Sequence, residues 1–424
     1  MAKTMIIRDP LHGNIEIDKF EQRIVDHPYF QRLRFIKQLG FTELAFPGAS
    51  HSRYGHSLGT MFIATKIFDK LKLSFNIPEE KIHLWRRLVR IASLLHDVGH
   101  APLSHATEKA MPDLGKLKLD EIYGKSEDPK RQASHEDYTI KIICDSSLTP
   151  IIDEQLHPIP SGSRLVAHLI HQKAKIKEDS FYHEGVDYRP CLKQIISGEL
   201  DADRMDYLYR DSFYTGVNYG KYDMDWLIHS LESVIIDNRC YTCLSKRGVL
   251  SYEDYLLSRY SMFLSVYLHY TTCCFEKMLI GAISESEYKI PHEIEEYLFH
   301  DDIHILSKIR GCNKHFSKMI NDRKAYRLVF DGEAEEGEAD YNRVLASIRE
   351  KNFKDLIHTP QVKIIPKPEK SFLYVKLKED HVVKMSDYSK FYAQYAEPLK
   401  LYRIYIEPET YKTNKSRIKE IIKG

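Results

Sequence analysis

Apolar residues recur every three or four positions through much of the chain, from about residue 28 to residue 279. Two clear runs are Leu58, Phe62, Ile63 and Ile67, and then Leu84, Leu88, Ile91 and Leu95. This spacing places apolar side chains on one face of an α-helix. Gly99 and Pro102 follow the second run, and both residue types stop helices. The sequence therefore predicts a mainly α body.

Shorter segments flank this helical body. Met5–Ile7 and Ile15–Ile17 lie on either side of a turn-like segment, which predicts a short N-terminal β arm. Beyond about Asn321, the segments 362–365, 372–377 and 401–406 resemble strands, whereas 112–134 and 331–340 resemble polar surface loops. We therefore predict a main domain over residues 1–320 and a smaller C-terminal α/β lobe over residues 321–424.

Composition and charge argue against several classes of protein, namely nucleic-acid-binding, membrane and secreted proteins. The 62 Lys and Arg residues nearly balance the 61 Asp and Glu residues, so nucleic acid is not the favoured partner. No apolar run approaches the roughly 18 residues that span a bilayer, and the N-terminal segment lacks the pattern of a signal peptide. Seven cysteines, an odd number, suit reduced thiols. We expect a cytoplasmic protein without a membrane partner.

The segment from Ser93 to His105 carries the densest chemistry. It places His96, Asp97, His100 and His105 at the end of an apolar helix. An adjacent imidazole and carboxylate can direct two ligand atoms at one metal ion. Such a site needs further ligands, and His56 upstream and Asp203 downstream are the candidates.

Five segments together resemble one protein family. They are Phe30–Gly40, Phe46–His51, His56–Gly59, Leu95–His105 and Asp203–Tyr207. In this order they are similar to the HD-domain deoxynucleoside triphosphate (dNTP) triphosphohydrolases. They look most like the branch with the sterile-alpha-motif-and-HD-domain enzyme and bacterial relatives, although we expect no sterile-alpha-motif domain here. The resemblance is strong over residues 5–280 and implies a helical HD-domain core.

The resemblance implies a metal site formed by His56, His96, Asp97 and Asp203. Two nitrogen and two carboxylate ligands suit Mn, Fe or Zn better than Ca, and Mg is a candidate for a second ion on the phosphates. The alternative is that the two histidines only pack between helices.

The resemblance also implies catalytic residues beside the scissile phosphate. They are His105 and His135, with His135 as the general acid and Glu108 and Glu136 orienting the imidazoles. A histidine can supply a proton to the leaving 5′-oxygen near neutral pH. The alternative is a polar surface loop around His135, because the spacing from His105 to His135 is longer than usual in the family.

A third group implied by the resemblance binds substrate. Arg53 would hold the α-phosphate, and His100 would lie beside it. Arg204, Tyr207 and Asp211 would bind the other phosphates and the sugar, Gln38 and Leu39 would contact the sugar, and Tyr267 would exclude a 2′-hydroxyl. Phe263 and Leu268 replace polar residues of the relatives, which leaves recognition of the base open.

A fourth group would bind an effector. Residues matching Asp26, Gln31 and Arg34 bind a guanine nucleotide in the relatives, at an interface between subunits. A carboxylate and a guanidinium suit the two edges of guanine. We therefore expect a homo-oligomer, a tetramer or a dimer, whose activity depends on a guanine nucleotide or a dNTP. The alternative is that Asp26 caps the next helix and Arg34 forms a surface ion pair.

The function implied is metal-dependent hydrolysis of dNTPs to deoxynucleoside and tripolyphosphate. One alternative is an HD-family nuclease or phosphatase that acts on single-stranded nucleic acid or on another nucleotide. The other is a protein that senses nucleotides or binds nucleic acid and whose histidine–aspartate centre is structural.

Overall fold

The computed structural model describes residues 4–124, 127–176, 178–364, 370–378, 381–396 and 398–423. Helices dominate, as predicted. Those before residue 321 are α1 (Lys19–Val25), α2 (Pro28–Gln31), α3 (Arg53–Leu71), α4 (Glu79–Leu95), α5 (Asp120–Tyr123), α6 (His135–Cys144), α7 (Thr149–Gln155), α8 (Gly162–Ile170), α9 (Arg189–Ile196), α10 (Ala202–Thr215), α11 (Met224–His229), α12 (Val249–Met262), α13 (Tyr270–Ser286), α14 (Ile294–Tyr297), α15 (Asp302–Gly311) and α16 (His315–Asn321). The later ones are α17 (Ala334–Glu350), α18 (Met385–Tyr388), α19 (Lys390–Ala396), α20 (Pro408–Thr413) and α21 (Lys415–Lys423).

The predicted N-terminal arm is a two-stranded hairpin. Strand β1 (Met5–Asp9) pairs antiparallel with β2 (Gly13–Ile17). The inner residues of the arm, Ile15 and Ile17, are each 1% exposed and belong to the main hydrophobic core. The arm therefore packs on the helices and is part of the body.

Helices α3, α4 and α10 form the centre of the body. Helix α3 packs along both α4 and α10, and residues such as Phe68 and Trp85 fill the interfaces. Helix α4 ends at Leu95, and the chain then passes close to the start of α6. A Cβ atom on Gly99 would lie 2.7 Å from the carbonyl oxygen of His135. The glycine therefore allows the segment after α4 to approach α6.

Two sheets complete the fold. The first contains β3 (Tyr182–His183), β4 (Val186–Asp187), β5 (Leu231–Ile236), β6 (Arg239–Ser245), β10 (Tyr374–Lys378) and β11 (His381–Lys384). The second contains β7 (Arg327–Glu333), β8 (Asp355–His358), β9 (Gln361–Val362) and β12 (Leu399–Ile406). The strand-like segments predicted near 372–377 and 401–406 are thus strands, and strand β9 ends at the start of 362–365.

The C-terminal segment is intertwined with the body. Strand β10 pairs parallel with β6, with Tyr374 opposite Cys243. The core that contains Ile15 also contains Tyr405. The predicted division at residue 320 stays a prediction, because side chains from both of its sides share one core.

One predicted loop is wrong, and the other is a surface loop only in part. Residues 334–350 form α17, in which Tyr341, Val344 and Ile348 recur at helical spacing and are buried. An acidic run is compatible with a helix start, because the helix dipole favours negative charge there. The segment near 112–134 contains α5 and buries Leu114 and Leu117. None of the described helices is both long and apolar enough to cross a membrane.

Candidate functional site

The four expected metal ligands converge from three helices. His56 lies in α3, His96 and Asp97 follow α4 directly, and Asp203 lies in the first turn of α10. The His56 Nε2 atom is 3.2 Å from His96 Nε2, 3.1 Å from Asp203 Oδ1 and 3.8 Å from Asp97 Oδ2. His96 Nε2 is 3.5 Å from Asp203 Oδ1. The ligand atoms of His56, His96 and Asp203 form one close group, and Asp97 adjoins this group at 3.8 Å from His56 and 3.7 Å from His96.

Hydrogen bonds fix the tautomers of both histidines. The Nδ1 atom of His96 lies 2.7 Å from the carbonyl oxygen of Ser93, and Nδ1 of His56 lies 2.8 Å from Asp206 Oδ2. Both partners only accept, so each Nδ1 carries a proton and each neutral ring directs the lone pair of Nε2 inward. Two lone pairs that face each other beside carboxylates repel, unless a cation lies between them. The four residues therefore fit a divalent metal ion.

The charges around these ligands favour a cation. Burial lowers the pKa of His56, but hydrogen bonds to Asp203 and Asp206 outweigh it and raise the pKa to about 10. Burial raises the pKa of Asp97, but Arg53 and the two histidines outweigh it and lower the pKa. Without a metal, protons take the place of the cation. This electrostatic preference agrees with the ligand geometry.

Asp206 is a supporting residue that the sequence analysis did not identify. Its carboxylate accepts from His56, from Nε of Arg210 at 2.8 Å, and contacts His12 Nε2 at 2.6 Å. Arg210 in turn donates to Asp9 at 2.9 Å. The N-terminal arm and α10 therefore hold the ring of His56 together. The spacing of Asp203 and Asp206 was the one available signal, because residues three apart share a helix face.

A cavity of about 350 Å³ opens beside the metal ligands. Arg53, only 5% exposed, lines it and forms a short ion pair with Asp97. The Arg53 Nη2 atom also donates to Oγ of Ser104 at 2.9 Å. A guanidinium beside a metal site is suited to a phosphate oxygen. The structure therefore places Arg53 on the cavity wall beside the expected metal ligands, and its role in phosphate binding stays a prediction.

The loop that carries Ser104 has an unusual backbone. Leu103 and Ser104 have positive φ angles of 53° and 60°, which non-glycine residues seldom adopt. The carboxylate of Asp302 accepts from the backbone N–H of Leu103 at 2.6 Å and of Lys37 at 2.9 Å. Asp302 thus ties two segments of the cavity wall together, and the sequence analysis did not identify it.

His135 lies in the same cavity at the first position of α6. Its Nδ1 atom is 2.5 Å from Glu108 Oε1, and its ring stacks on His100 at 4.4 Å. Burial lowers the pKa of His135, but Glu108 outweighs it and raises the pKa above the ordinary value. A protonated imidazole at this place can donate a proton.

One of the expected catalytic residues, Glu136, has a different partner from the one predicted. Glu136 forms an ion pair with Nε2 of His171 at 3.3 Å, and it acts on the nearby His135 through its charge. The side chain of His105 lies outside the described part of the structure. Of the two expected orienting carboxylates, Glu108 is the one in contact with His135.

The opposite end of the cavity is formed around a π-helical turn, Phe263–Tyr267, between α12 and α13. Tyr267 donates to Asp211 Oδ2 at 2.8 Å, and the other Asp211 oxygen contacts His51 Nε2 at 2.8 Å. The ring of Tyr207 lies 6.1 Å from that of Tyr267. Such turns often occur at functional sites. The structure therefore brings Tyr207, Asp211 and Tyr267 together.

Gln38 and Leu39 line this end as well. Gln38 is 8% exposed, and its Oε1 atom has no hydrogen-bond partner among the described residues. A buried acceptor without a donor is unfavourable by roughly 1–3 kcal/mol, and this one lies on the cavity wall, where a bound molecule can donate to it. A sugar hydroxyl is a donor of the right kind.

Arg204 lies outside this cavity. Its guanidinium binds Asp201 and the carbonyl oxygen of Gly198 through short contacts, and it lines a neighbouring cavity. Arg259 lines the same second cavity, is 6% exposed, and lies 5.6 Å from the centre of the Phe263 ring. The Arg259 side chain has no hydrogen-bond or ion-pair partner within the described chain. Arg259 was not predicted as a site residue. The residues around it in the sequence do not indicate that its charge is buried.

The expected effector residues lie together on the surface. Arg34 donates to Gln31 Oε1 at 2.7 Å and stacks on the ring of Tyr54 at 3.6 Å. The exposed Asp26 accepts from Gln22 at 3.3 Å, and its side chain does not cap α2, because His27 takes that position. The alternative therefore does not hold in the described structure: Asp26 does not cap the next helix, and Arg34 contacts Gln31 and Tyr54 rather than a carboxylate.

Comparisons with known proteins identify the family. The HD domain family matches residues 53–211, and the HD associated region matches residues 222–357. A deoxynucleoside triphosphate triphosphohydrolase SAMHD1 homolog of Dictyostelium discoideum is 34% identical over 69% of this chain and 51% of its own length. An uncharacterized protein of Methanocaldococcus jannaschii is 32% identical over 76% of this chain and 58% of its own length. The chain thus spans about half to three fifths of these curated relatives.

A solved structure extends the comparison to the whole fold. A hypothetical protein of Aquifex aeolicus superimposes with a TM-score of 0.75 at 28% identity, over 98% of this chain and 99% of its own. The resemblance and the mainly α fold predicted from the sequence are confirmed.

Proposed function

Because this chain belongs to the HD-domain family, we propose that it is a metal-dependent phosphohydrolase that cleaves dNTPs to deoxynucleoside and tripolyphosphate. The observation that carries the proposal is one cavity with two chemically different ends. One end is lined by Arg53, Asp97 and Asp203, and both carboxylates adjoin His56 and His96; the other end has hydroxyl-binding groups. A nucleoside joined to phosphates matches both ends.

The four ligands would hold a divalent ion, which supplies Lewis-acid activation of the phosphate and of the attacking water. Arg53 binds an oxygen of the α-phosphate and positions the phosphorus atom. Water adds its oxygen to this phosphorus and releases a proton to solvent, while the bond from phosphorus to the 5′-oxygen breaks. His135 donates the proton that the leaving 5′-oxygen needs, and Glu108 holds the imidazole in place.

The sugar end accounts for a preference for deoxynucleotides. Gln38 Oε1 accepts the single hydrogen bond that the 3′-hydroxyl can donate, and the Asp211 carboxylate lines the same end of the cavity. The hydrogen bond to Asp211 fixes the Tyr267 ring, so this ring occupies the space that a 2′-hydroxyl would need. A site with buried acceptors for a substrate hydroxyl discriminates strongly against substrates that lack this hydroxyl.

The outer phosphates lie toward Arg259 and Arg204. Both guanidinium groups line the cavity next to that of Asp203, and Arg259 has no anionic partner in the described chain. A buried charge without a counter-charge is unfavourable, and the β- and γ-phosphates supply the missing anion.

Regulation would act through the surface group of Asp26, Gln31 and Arg34. The exposed carboxylate accepts from the N1 and N2 groups of guanine, while Arg34 lies flat on Tyr54 and presents its remaining N–H groups. A nucleotide bound at this surface would join copies of the chain into a dimer or tetramer.

The deciding experiment incubates the protein with Mn²⁺ and each dNTP, each ribonucleotide, or end-labelled single-stranded DNA, and separates the products by ion exchange. We expect deoxynucleoside and tripolyphosphate from dNTPs only. The Asp203→Ala variant is the inactive control, with its fold checked by circular dichroism. Orthophosphate or pyrophosphate as the product, or degradation of the DNA alone, would refute the proposal and favour the phosphatase or nuclease alternative.

A further inference from the structure

The hydrolytic cavity contains a carboxyl group that the proposed mechanism does not use. Glu276 lies in the second turn of α13 and lines this cavity. The other three carboxylates among the described lining residues are each paired with an arginine or a histidine; they are Asp97, Asp203 and Asp211. Glu276 forms no hydrogen bond or ion pair with any residue that the structure describes. Its carboxyl group is therefore available to a bound molecule.

Glu276 lies apart from the metal end of the cavity. Helix α13 packs against the turn Gly40–Leu44, and the centre of the Phe275 ring lies 6.4 Å from that of Phe41. Burial raises the pKa of Glu276 to about 7, and Lys277 opposes the increase. A charged group of the metal end would shift this pKa if it were close, and none of the described ones does so. Glu276 therefore belongs to the end of the cavity beside this turn.

The base is the part of the substrate that still lacks a partner. In the proposed function, Arg53 and the metal ligands bind the phosphates, and Gln38 binds the 3′-hydroxyl. Leu39 and Phe263 line the same cavity and supply apolar surface, which packs on the flat faces of a base. The edge of a base carries hydrogen-bond donors and acceptors, which are unfavourable to bury without partners. An unpaired carboxyl group in this cavity supplies such a partner.

We propose that Glu276 binds the hydrogen-bonding edge of the substrate base and selects which dNTP is cleaved. This inference rests on the proposed function, because it assigns a partner to the base of the same substrate. An ionised carboxylate only accepts, and guanine is the base whose edge presents two adjacent donors, N1–H and N2–H. A neutral carboxyl group has one donor and one acceptor, and every base has an edge that matches this pair. Ionised Glu276 therefore favours guanine, whereas neutral Glu276 accepts all four bases.

The base preference should consequently change with pH. With a pKa of about 7, Glu276 is mostly neutral at about pH 6 and mostly ionised at about pH 8. Ionisation adds a second hydrogen bond to guanine. It also removes the donor that N1 of adenine, N3 of cytosine and the carbonyl oxygens of thymine require, and it places a lone pair against these acceptors. The preference for dGTP over the other dNTPs should therefore increase as the pH rises.

The other titratable groups of the cavity act alike on every dNTP. Six of those described carry or can gain a charge, and they lie at the metal and sugar ends: Arg53, Asp97, His100, His135, Asp203 and Asp211. Tyr207 and Tyr267 stay neutral, because burial raises both of their pKa values. None of these groups is assigned to the base, so their titration changes the rate for every dNTP by the same factor.

Around α13, few charged groups are near Glu276. Lys277 follows it on the same helix and lowers its pKa, and Lys109, from another segment packed against this helix, adjoins Lys277. Glu43, on the turn that packs against α13, is already in an ion pair. The elements α15, α16 and β8 also pack against α13, and their described residues contribute no side chain to the cavity. Glu276 is thus the group expected to titrate at the base end.

The test is hydrolysis of an equimolar mixture of dATP, dCTP, dGTP and dTTP by the full chain with Mn²⁺, from about pH 6 to about pH 8, with the deoxynucleosides separated by chromatography. The four substrates compete for one site, so the ratio of their initial rates equals the ratio of their kcat/KM values. A nucleotide bound elsewhere on the chain affects all four equally. The ionised fraction of a group with a pKa of about 7 rises about tenfold over this range. We therefore expect the ratio of dGTP to dCTP hydrolysis to rise about tenfold or more.

Glu276→Gln is the test variant, because an amide has one donor and one acceptor at every pH. Its ratio of dGTP to dCTP hydrolysis should no longer change with pH, and should lie below that of wild type at about pH 8. The matched control is Glu287→Gln, because Glu287 is exposed directly after the end of α13 and does not line the cavity. The control should retain the wild-type pH profile. Thermal unfolding shows whether each variant is folded, and the wild-type pH profile decides if one is not.

Three results would overturn the role of Glu276. They are a wild-type ratio that stays constant with pH, a folded Glu276→Gln variant with the wild-type pH profile, and an equal change of the profile in Glu287→Gln. Each of them leaves the proposed function intact, because dNTPs are still hydrolysed. A wild-type protein that hydrolyses no dNTP at any pH refutes the proposed function, and the role of Glu276 with it.

Discussion

The substitution Gly59→Ala tests whether Asp206 supports the metal site. Gly59 lies in α3, one turn after His56, where the helix touches α10. A Cβ atom there would overlap Asp206 Oδ1 and Arg210 Nη2, and would lie 2.7 Å from Asp206 Cγ. Neither side chain can move away easily, since Asp206 is 0% and Arg210 1% exposed, and hydrogen bonds hold both. The added methyl group must therefore displace the Asp206 carboxylate from His56.

The expected effects can be estimated from the contacts. Overpacking a buried site lowers the free energy of unfolding by about 1–3 kcal/mol, and the better helix propensity of alanine offsets up to about 1 kcal/mol of it. Displacing the carboxylate that orients a histidine ligand lowers metal affinity by about 10–100-fold. We therefore expect a folded protein, at most about 3 kcal/mol less stable, that binds Mn²⁺ at least about tenfold more weakly.

Mn²⁺ titration followed by calorimetry measures the affinity, and urea unfolding in EDTA measures stability without the metal. Gly311→Ala is the matched control, because Gly311 is also helical and a Cβ atom there would meet no atom within 4 Å. The control should bind Mn²⁺ like wild type. If Gly59→Ala also binds like wild type while folded, Asp206 does not support His56 and the reasoning is wrong.

Four further predictions concern single residues. Asp203→Ala should lose bound metal and activity but keep its far-ultraviolet circular dichroism; full metal content by elemental analysis would contradict the ligand assignment. His135→Ala should keep its metal but lose about 10²–10⁴-fold in turnover, and an unchanged rate would exclude it as the acid. Burial raises the pKa of Asp302 to about 6 from 3.8, so this carboxyl group binds its proton more tightly in the folded state. The free energy of unfolding should therefore fall by about 3 kcal/mol as the pH rises from about 4 to 6. Urea unfolding across this range should show that Asp302→Asn removes the decrease, and an identical pH profile would contradict it. Arg34→Ala should weaken assembly by GTP or dGTP in light scattering, whereas equal mass with and without nucleotide in both proteins would exclude an effector there.

The sequence was informative where function depends on short segments. His96 and Asp97 directly follow a helix that its apolar spacing predicts, and resemblance supplied the two distant ligands, His56 and Asp203. The supporting contacts could not be predicted in this way. His12 is 194 residues from Asp206, and nothing in the local sequence of either residue indicates the pairing. The pairing of Glu136 with His171 could not be predicted either, because the two residues lie in different segments.

The C-terminal part shows a similar limit. Local spacing predicted its strands near 372–377 and 401–406, but not that β10 would pair parallel with β6, about 130 residues earlier in the chain. Pairing partners depend on the whole fold rather than on the strand itself. Local sequence patterns therefore predict a body and a separate lobe. In the structure, one hydrophobic core contains residues from Ile15 to Tyr405.

The charge of the largely buried cluster around the metal site gives a further argument for the charge of the metal ion. Hydrogen bonds and ion pairs connect the carboxylates of Asp9 and Asp206 through Arg210, and link Asp97 to Arg53. Including Asp203, the cluster contains four carboxylates and two guanidinium groups, and it has two negative charges in excess when its histidines are neutral. An interior of low dielectric penalises any uncompensated charge. A monovalent ion leaves one negative charge and a trivalent ion adds a positive one, so a divalent ion is the one that neutralises the cluster.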